Sequence, residues 1–398
     1  MTESRLKKLL EDRDSGAPAS RIVRAMSGWG ALSAADIARR TGLARSTVSV
    51  ALSELRKSGI VVEVPAADDA VKGVGRPATA LTLNPEAGTC IGIHLSLDAI
   101  DIVVADVSHS VVHEQTIALG RDYAPKTAAA AAEAAVRRAY TGNGLALAGL
   151  LGVGVSVSGP VRRDGTVLRS SILPAWAGVN IRTVFGPALQ RPVYADNESN
   201  CAAVAEMMWG AAAGYEDFVL FKIDLGVGGA IVHGGRVLTG VAGGAGEFGH
   251  VSIDPDGPLC RCGNRGCLEL YASFNRPLDE LARVHGRGLT MDDAILMAER
   301  GDPGALRLIA DTAEIAGRGL AMIGTMLNPP LVIIGGRMAL AGDLLLAPLA
   351  RAYEKHTLIK ADTLPEGLRT RLAVGRFTEN DALLGAVGLV LKDQGRIG

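Results

Sequence analysis

Two stretches share one rhythm of strand, glycine turn and second strand. The first is Thr89-Cys90-Ile91-Gly92-Ile93-His94-Leu95-Ser96, continuing to Ile102-Val103-Val104-Ala105; the second is Phe218-Val219-Leu220-Phe221-Lys222-Ile223-Asp224-Leu225, continuing to Ala230-Ile231-Val232-His233. Each opens a run of predicted strands and helices, as two copies of one lobe would. The expected fold is a duplicated α/β domain with its ligand in the cleft between lobes.

The surrounding chain fits that frame. At 398 residues it exceeds one ordinary core, and 48% apolar residues with only 4% aromatics and 50 glycines suit an Ala/Val/Leu/Gly-rich α/β protein rather than a disordered or disulfide-built one. Residues 1–14 are charged throughout, with no apolar core of a signal peptide, and no run of eighteen apolar residues follows. A cytoplasmic protein with no membrane span is expected. Of five cysteines, Cys260, Cys262 and Cys267 fall within eight residues, a spacing that suits a metal in a reducing compartment. Cys90 and Cys201 read as small buried hydrophobes.

The net charge of −1 hides an asymmetry: residues 1–85 hold 13 Lys/Arg against 9 Asp/Glu, and the remainder 28 against 33. The sign suits an N-terminal nucleic-acid module. Ile22, Val23 and Met26 mark one amphipathic helix, beginning near Ser20 and stopping at Gly28-Trp29-Gly30. Ser33 and Asp36 open a second in the manner of a capping box, and Thr41-Gly42-Leu43 stops it. A third runs from Ala44 to a stop at Gly59, with Val48, Ala51, Leu52 and Leu55 facing inward. That spacing leaves Arg45, Ser46, Thr47 and Ser49 outward, where a recognition helix meets bases and phosphates.

Two predicted strands, 60–64 and 79–83, then form a wing around a loop containing Gly73-Val74-Gly75-Arg76-Pro77. Pro77 holds Arg76 extended, suited to a narrow minor groove. The plainer alternative is a small helical bundle with Arg76 as a solvated loop charge. The strand pair after three helices favours a winged helix-turn-helix over residues 1–85.

Further motifs carry a resemblance. They are Gly154-Val155-Ser156-Val157-Ser158-Gly159-Pro160, Leu173-Pro174-Ala175-Trp176, Asp196-Asn197-Glu198-Ser199-Asn200, Gly246-Glu247-Phe248-Gly249-His250, Cys260 to Glu269, and Asn328-Pro329-Pro330 before Ile334-Gly335-Gly336. With these, residues 86–398 resemble the ROK family of repressors and sugar kinases, and the whole chain resembles its repressor branch. The resemblance implies an actin-like, ribonuclease H-like two-lobed sugar-kinase fold. The expected lobes are 86–197 and 198–383, with a C-terminal helix over 384–398 packing back on the first lobe.

Cys-x-Cys followed by a third cysteine supplies three thiolates, and His250, ten residues upstream, is the natural fourth ligand of a closed structural Zn2+ site. The resemblance assigns the same four. The alternative, three reduced thiols in a surface loop, is an oxidation liability without benefit. By resemblance, Asn197, Glu198, Glu247 and Glu269 fall on sugar-contacting positions, and His250 can hold zinc through one nitrogen while offering the other to a sugar hydroxyl. Outside this context Glu247 and Glu269 would read as solvated acids and Asn197 as a turn residue.

The family's kinases carry an Asp-x-Gly-Gly-Thr turn after the first strand, where this chain has His94-Leu95-Ser96-Leu97-Asp98. Leu225 stands where they place threonine, and Glu198 where they place the general-base aspartate. Phosphoryl transfer needs open backbone N–H groups around the phosphates, so a non-catalytic sensor is expected. The expectation is therefore a sugar-responsive repressor, binding a double-stranded operator as a homodimer or homotetramer and answering to a sugar or oligosaccharide. An active ATP-dependent sugar kinase with a fused DNA-binding domain is the alternative.

Overall fold

The computed structural model describes residues 2–12, 16–29, 31–65, 79–168 and 171–392. They divide into two compact units, residues 1–204 with 382–398 and residues 205–381. The division falls a little beyond the expected limit at 197 and a little before that at 383.

The first unit begins with four helices, α1 (Thr2–Glu11), α2 (Pro18–Trp29), α3 (Ala34–Thr41) and α4 (Arg45–Lys57), and a hairpin of β1 (Val61–Pro65) and β2 (Thr79–Leu83). The sequence reading had no helix at α1. Among its charged residues Leu6 is fully buried and Leu9 and Leu10 are half-buried. Ser33 caps α3 by accepting from the Asp36 N–H at 3.1 Å, and Gly42 ends it in the left-handed region at φ +63°. In α4, Val48, Ala51, Leu52 and Leu55 are all buried, as their spacing requires. The hairpin pairs Val61 with Leu83 and Glu63 with Leu81, and Leu32 adds a single-residue third strand through two 2.9 Å bonds with Leu81. Arg76 lies outside the described residues.

The same unit continues into a five-stranded sheet of order β5-β4-β3-β6-β7, with β3 (Thr89–Leu95), β4 (Ala99–Asp106), β5 (Val111–Ala118), β6 (Leu150–Val157) and β7 (Val193–Asn197). β3, β6 and β7 pair in parallel, and β4 runs antiparallel to both of its neighbours, β3 and β5. Helices α5 (Pro125–Gly142) and α6 (Ile181–Leu189) contribute Ala128, Ala132, Val136 and Phe185 to its core. At the end of β7, α7 (Glu198–Trp209) leads toward the second unit.

The second unit repeats the topology. Its sheet order is β10-β9-β8-β11-β12, from β8 (Phe218–Ile223), β9 (Val227–His233), β10 (Arg236–Val237), β11 (Leu331–Gly335) and β12 (Arg371–Val374). β8 pairs antiparallel to β9 and parallel to β11, as β3 does to β4 and β6. The two stretches that share a sequence rhythm therefore occupy equivalent places. Helices α8 (Glu269–Ala272), α9 (Asn275–His285), α10 (Met291–Glu299), α11 (Pro303–Leu327) and α12 (Asp343–His356) flank this sheet. Among the described residues no helix is long and apolar enough to cross a membrane.

The chain then returns to the first unit as α13 (Asp381–Leu391), which starts three residues before the expected 384. Its contact with the sheet is backbone against backbone. A Cβ at Gly154 on β6 would stand 1.7 Å from the Ala386 carbonyl, and one at Gly92 on β3 would stand 2.5 Å from that of Leu383. Only glycine admits so close an approach. At the far end of the helix the Ser27 hydroxyl of α2 donates to the Leu391 carbonyl at 3.1 Å. The reader helices and the first lobe thus share one unit.

Candidate functional site

On the outer face of α4, Arg45, Ser46 and Ser49 are exposed and Thr47 is half-buried. Ala44, at the N-cap, offers no side-chain bond to the first turn, so those N–H groups remain open to an anion. Val50, which the sequence reading passed over, is 63% exposed on the helix. An exposed apolar residue there suits contact with a thymine methyl. Its signal was legible as the one aliphatic residue off the inward spacing.

In the second unit, a short helical turn over Phe248–His250 presents His250 beside a tight loop. Leu259 and Arg265 pair as a one-rung hairpin, and within it Cys260 N–H donates to Asn264 O at 2.7 Å, bringing Cys260 and Cys262 to one side. A bridge between Ser252 and Cys267 returns the third cysteine to His250. Gly266 makes that return possible: its φ is +58°, and a Cβ would stand 1.7 Å from the Asp254 carbonyl.

The four ligand atoms lie within 4.8 Å of one another, with Cys260 Sγ 3.7 Å from His250 Nδ1 and Cys262 Sγ 3.6 Å from Cys267 Sγ. A tetrahedron with Zn–S near 2.3 Å and Zn–N near 2.0–2.1 Å has edges of about 3.6–3.8 Å. The residues therefore fit a metal of that size. Burial, then the neighbouring thiols of Cys262 and Cys260, push the Cys267 thiol up to about 12. A cation among them removes that penalty. Burial also holds His250 below its usual range, keeping it neutral as a ligand must be.

Glu269 begins α8 and is buried. Its carboxylate accepts from Arg261 Nη2 at 2.8 Å and from the Val227 N–H at 3.3 Å, tying the cysteine loop to β9. Arg261 was not singled out by the sequence; lying between two cysteine ligands, it had no signal of its own. Glu247 is half-buried immediately before the His250 turn.

In the first unit, Asn197 is buried and uses its amide on the backbone, donating to Gly159 O at 3.0 Å and accepting from the Ser199 N–H at 2.7 Å. Glu198, at the start of α7, accepts from the Ser158 hydroxyl at 2.8 Å and stands 3.8 Å from His94 Nε2. His94 Nδ1 meets the Ser156 hydroxyl at 3.1 Å. This polar chain links β3, β6 and α7, and nothing in the sequence ties His94 to Glu198, 104 positions later.

Next to these, burial pushes Asp196 up to about 6 against the opposing bonds from the Asn200 side chain and the Asn197 N–H. A carboxyl raised in the folded state contributes stability that is complete below about pH 4 and is lost as pH rises through about 6. Asp196→Asn keeps an oxygen for both bonds and removes the titration. Its stability relative to the native chain is expected to increase by about 2 kcal/mol between pH 4 and pH 7 in urea unfolding. A pH-independent difference would show that this carboxyl titrates ordinarily.

The phosphate turns are closed on themselves. After β3, the Ser96 N–H and hydroxyl both donate to Ala99 O, at 3.1 and 3.0 Å. After β8, the Leu225 N–H donates to Asp224 Oδ1 at 2.8 Å, and Asp224 Oδ2 also accepts from the Arg337 N–H at 3.1 Å. Amides already answered by carbonyls and carboxylates are poorly placed to cradle a triphosphate.

Residues 90–393 of the 398 match the model described as ROK family. The chain belongs to the ROK family. Residues 16–70 of this ROK protein also match the MarR family, across the helices that carry Arg45 and its neighbours. A xylose repressor of Caldicellulosiruptor bescii is 29% identical over 380 residues, spanning 91% of this chain and 92% of the relative. A glucokinase of Halalkalibacterium halodurans is 31% identical over 264 residues, spanning 62% of this chain and 77% of its own. Among solved structures, a ROK family transcriptional regulator, described as a homologue of the E. coli MLC protein, superposes with a TM-score of 0.72 at 23% identity, covering 94% of this chain and 95% of that one. That likeness confirms the order of winged helix-turn-helix and duplicated sugar-kinase-like domain.

Proposed function

We propose that this ROK protein is a sugar-responsive transcriptional repressor and not a phosphotransferase. The carrying observation is the alignment with a xylose repressor across 91% of the chain, where the glucokinase alignment spans 62%. The closed turns at Ser96 and Leu225 favour the same reading. Arg45, Ser46, Thr47, Ser49 and Arg76 are its DNA contacts. Asn197, Glu198, Glu247, His250 and Glu269 are its sugar contacts. Four protein ligands leave no open coordination position, so the ion held by His250, Cys260, Cys262 and Cys267 is a structural zinc that keeps His250, and through Arg261 also Glu269, in place. The reader works as a homodimer or homotetramer on a pseudo-palindromic operator in the cytoplasm.

The test is a fluorescence-anisotropy titration of the full chain on a duplex selected from random sequence, with and without D-xylose, D-glucose, N-acetylglucosamine and disaccharides. One sugar is expected to change operator affinity about tenfold or more, which requires it to bind one of two protein states at least that much more tightly. Failure to select any preferred duplex overturns the regulator reading. Selection without a response to any sugar overturns the sensing half, and phosphorylation of a sugar with Mg-ATP overturns the non-enzymatic half.

A further inference from the structure

The Ser156, His94, Glu198 chain has the residue types of a nucleophilic triad, but Ser156 is completely buried and presents nothing to a substrate. Its role lies at the other end. A buried hydroxyl must donate, and among the described residues the acceptor within reach of Ser156 is His94 Nδ1 at 3.1 Å. That bond puts the ring proton on Nε2, facing the Glu198 carboxylate at 3.8 Å.

This separation is too long for a hydrogen bond between the two. It is the separation at which both reach one further oxygen about 2.8 Å from each. Ser158 already donates to Glu198 Oε2, which steadies the carboxylate and keeps it an acceptor. The side chains of His94 and Glu198 remain 16% and 36% exposed, so the pair is reachable. One donor beside one acceptor complements a hydroxyl group, which accepts and donates at the same atom.

Resting on the sugar-sensing reading above, we infer that His94 and Glu198 together read one free hydroxyl of the effector and reject the same sugar phosphorylated at that oxygen. A phosphate ester accepts from His94 but has no proton for Glu198 near neutral pH, and it brings close to two negative charges against a fixed carboxylate. A site built for a hydroxyl leaves its acceptor unpaired when the proton is missing.

The experiment is calorimetric titration of the full-length chain with whichever of D-xylose and D-glucose binds more tightly, and with the 1-phosphate and terminal phosphate of that sugar. His94→Asn keeps a polar group where Nδ1 meets Ser156 but has nothing at Nε2, whereas His94→Gln restores an N–H there. Affinity for the neutral sugar is expected to fall about tenfold or more in His94→Asn and to recover most of that loss in His94→Gln. At least one phosphate is expected to bind native protein at least tenfold more weakly than the sugar, with the gap narrowed in Glu198→Gln, whose amide can donate. Equal losses in the two His94 variants, no loss in either, or phosphates that bind as tightly as the sugar would each overturn the inference. If the native chain binds neither sugar, the inference falls, whereas the sensing reading falls only if no sugar of the wider operator titration acts. Operator binding without sugar serves as the folding control for every variant.

Discussion

Cys267→Ser is expected to reduce the zinc content of the purified chain from about one ion per chain to near zero and to lower its unfolding midpoint by about 10 °C. Cys267 is the choice because it is buried and its Sγ lies 3.6 Å from the His250 carbonyl, at the point where the loop closes. Loss of one buried thiolate leaves three ligands and an open side, and a structural site in that state releases its ion. The stability lost is the binding free energy that folding had captured. In isolated zinc modules that is about 10–16 kcal/mol, but here the Leu259–Arg265 and Ser252–Cys267 bridges and the Glu269–Arg261 bond still hold the loop. A few kcal/mol is the reasonable share, which at this size means about 2–4 °C each. Cys262→Ser, at the exposed corner, should lose zinc with a smaller change in midpoint. Elemental analysis and thermal denaturation check both; full zinc retention by Cys267→Ser would exclude the four-ligand site.

Arg45→Ala should weaken specific operator binding about 10- to 100-fold per reader, because a bidentate arginine contact in the major groove is worth about 1–3 kcal/mol. Arg45 is exposed at the first position of α4, beside the open N–H groups that Ala44 leaves uncapped. The anisotropy titration separates two roles. If Arg45 reads a base, the gap between operator and scrambled duplex narrows; if it meets only phosphate, both affinities fall together and the salt dependence weakens. Arg137→Ala, which breaks an exposed 2.7 Å pair with Glu133 on α5, is the control and should change neither. An Arg45→Ala protein with native affinity for both duplexes would remove α4 from the interface.

What the sequence made legible follows from the range of each signal. The inward face of α4 repeats every three to four residues, so Val48, Ala51, Leu52 and Leu55 declare a helix by themselves. The cysteines lie within eight residues and a short loop must gather them. By contrast, α1 sets its fully buried Leu6 among charged neighbours, and Leu32 joins the wing through one residue, too few for any alternation to register. His94, Ser156 and Glu198 come from β3, β6 and α7, and parallel pairing puts His94 opposite Ser156 only once the sheet is assembled. Glu269 stands among the sugar-contacting positions by resemblance alone, because its partner Arg261 reads in the sequence as one more loop charge.

The return of α13 sets an order on how the molecule is made. The glycine floor at Gly92 and Gly154 stays uncovered until residues 381–391 emerge, yet its strands are complete once β7 has been synthesised. Between them lie the 177 residues of the second unit, 205–381. At about 5–20 residues per second the ribosome needs roughly 10–35 s to cross that interval. Throughout it, the sheet lacks its last layer and α2 lacks the Leu391 carbonyl that Ser27 meets in the finished chain. A nascent fragment ending anywhere in the second unit leaves that glycine floor bare, and α2 gains its bond to the Leu391 carbonyl only after the whole second unit has been made.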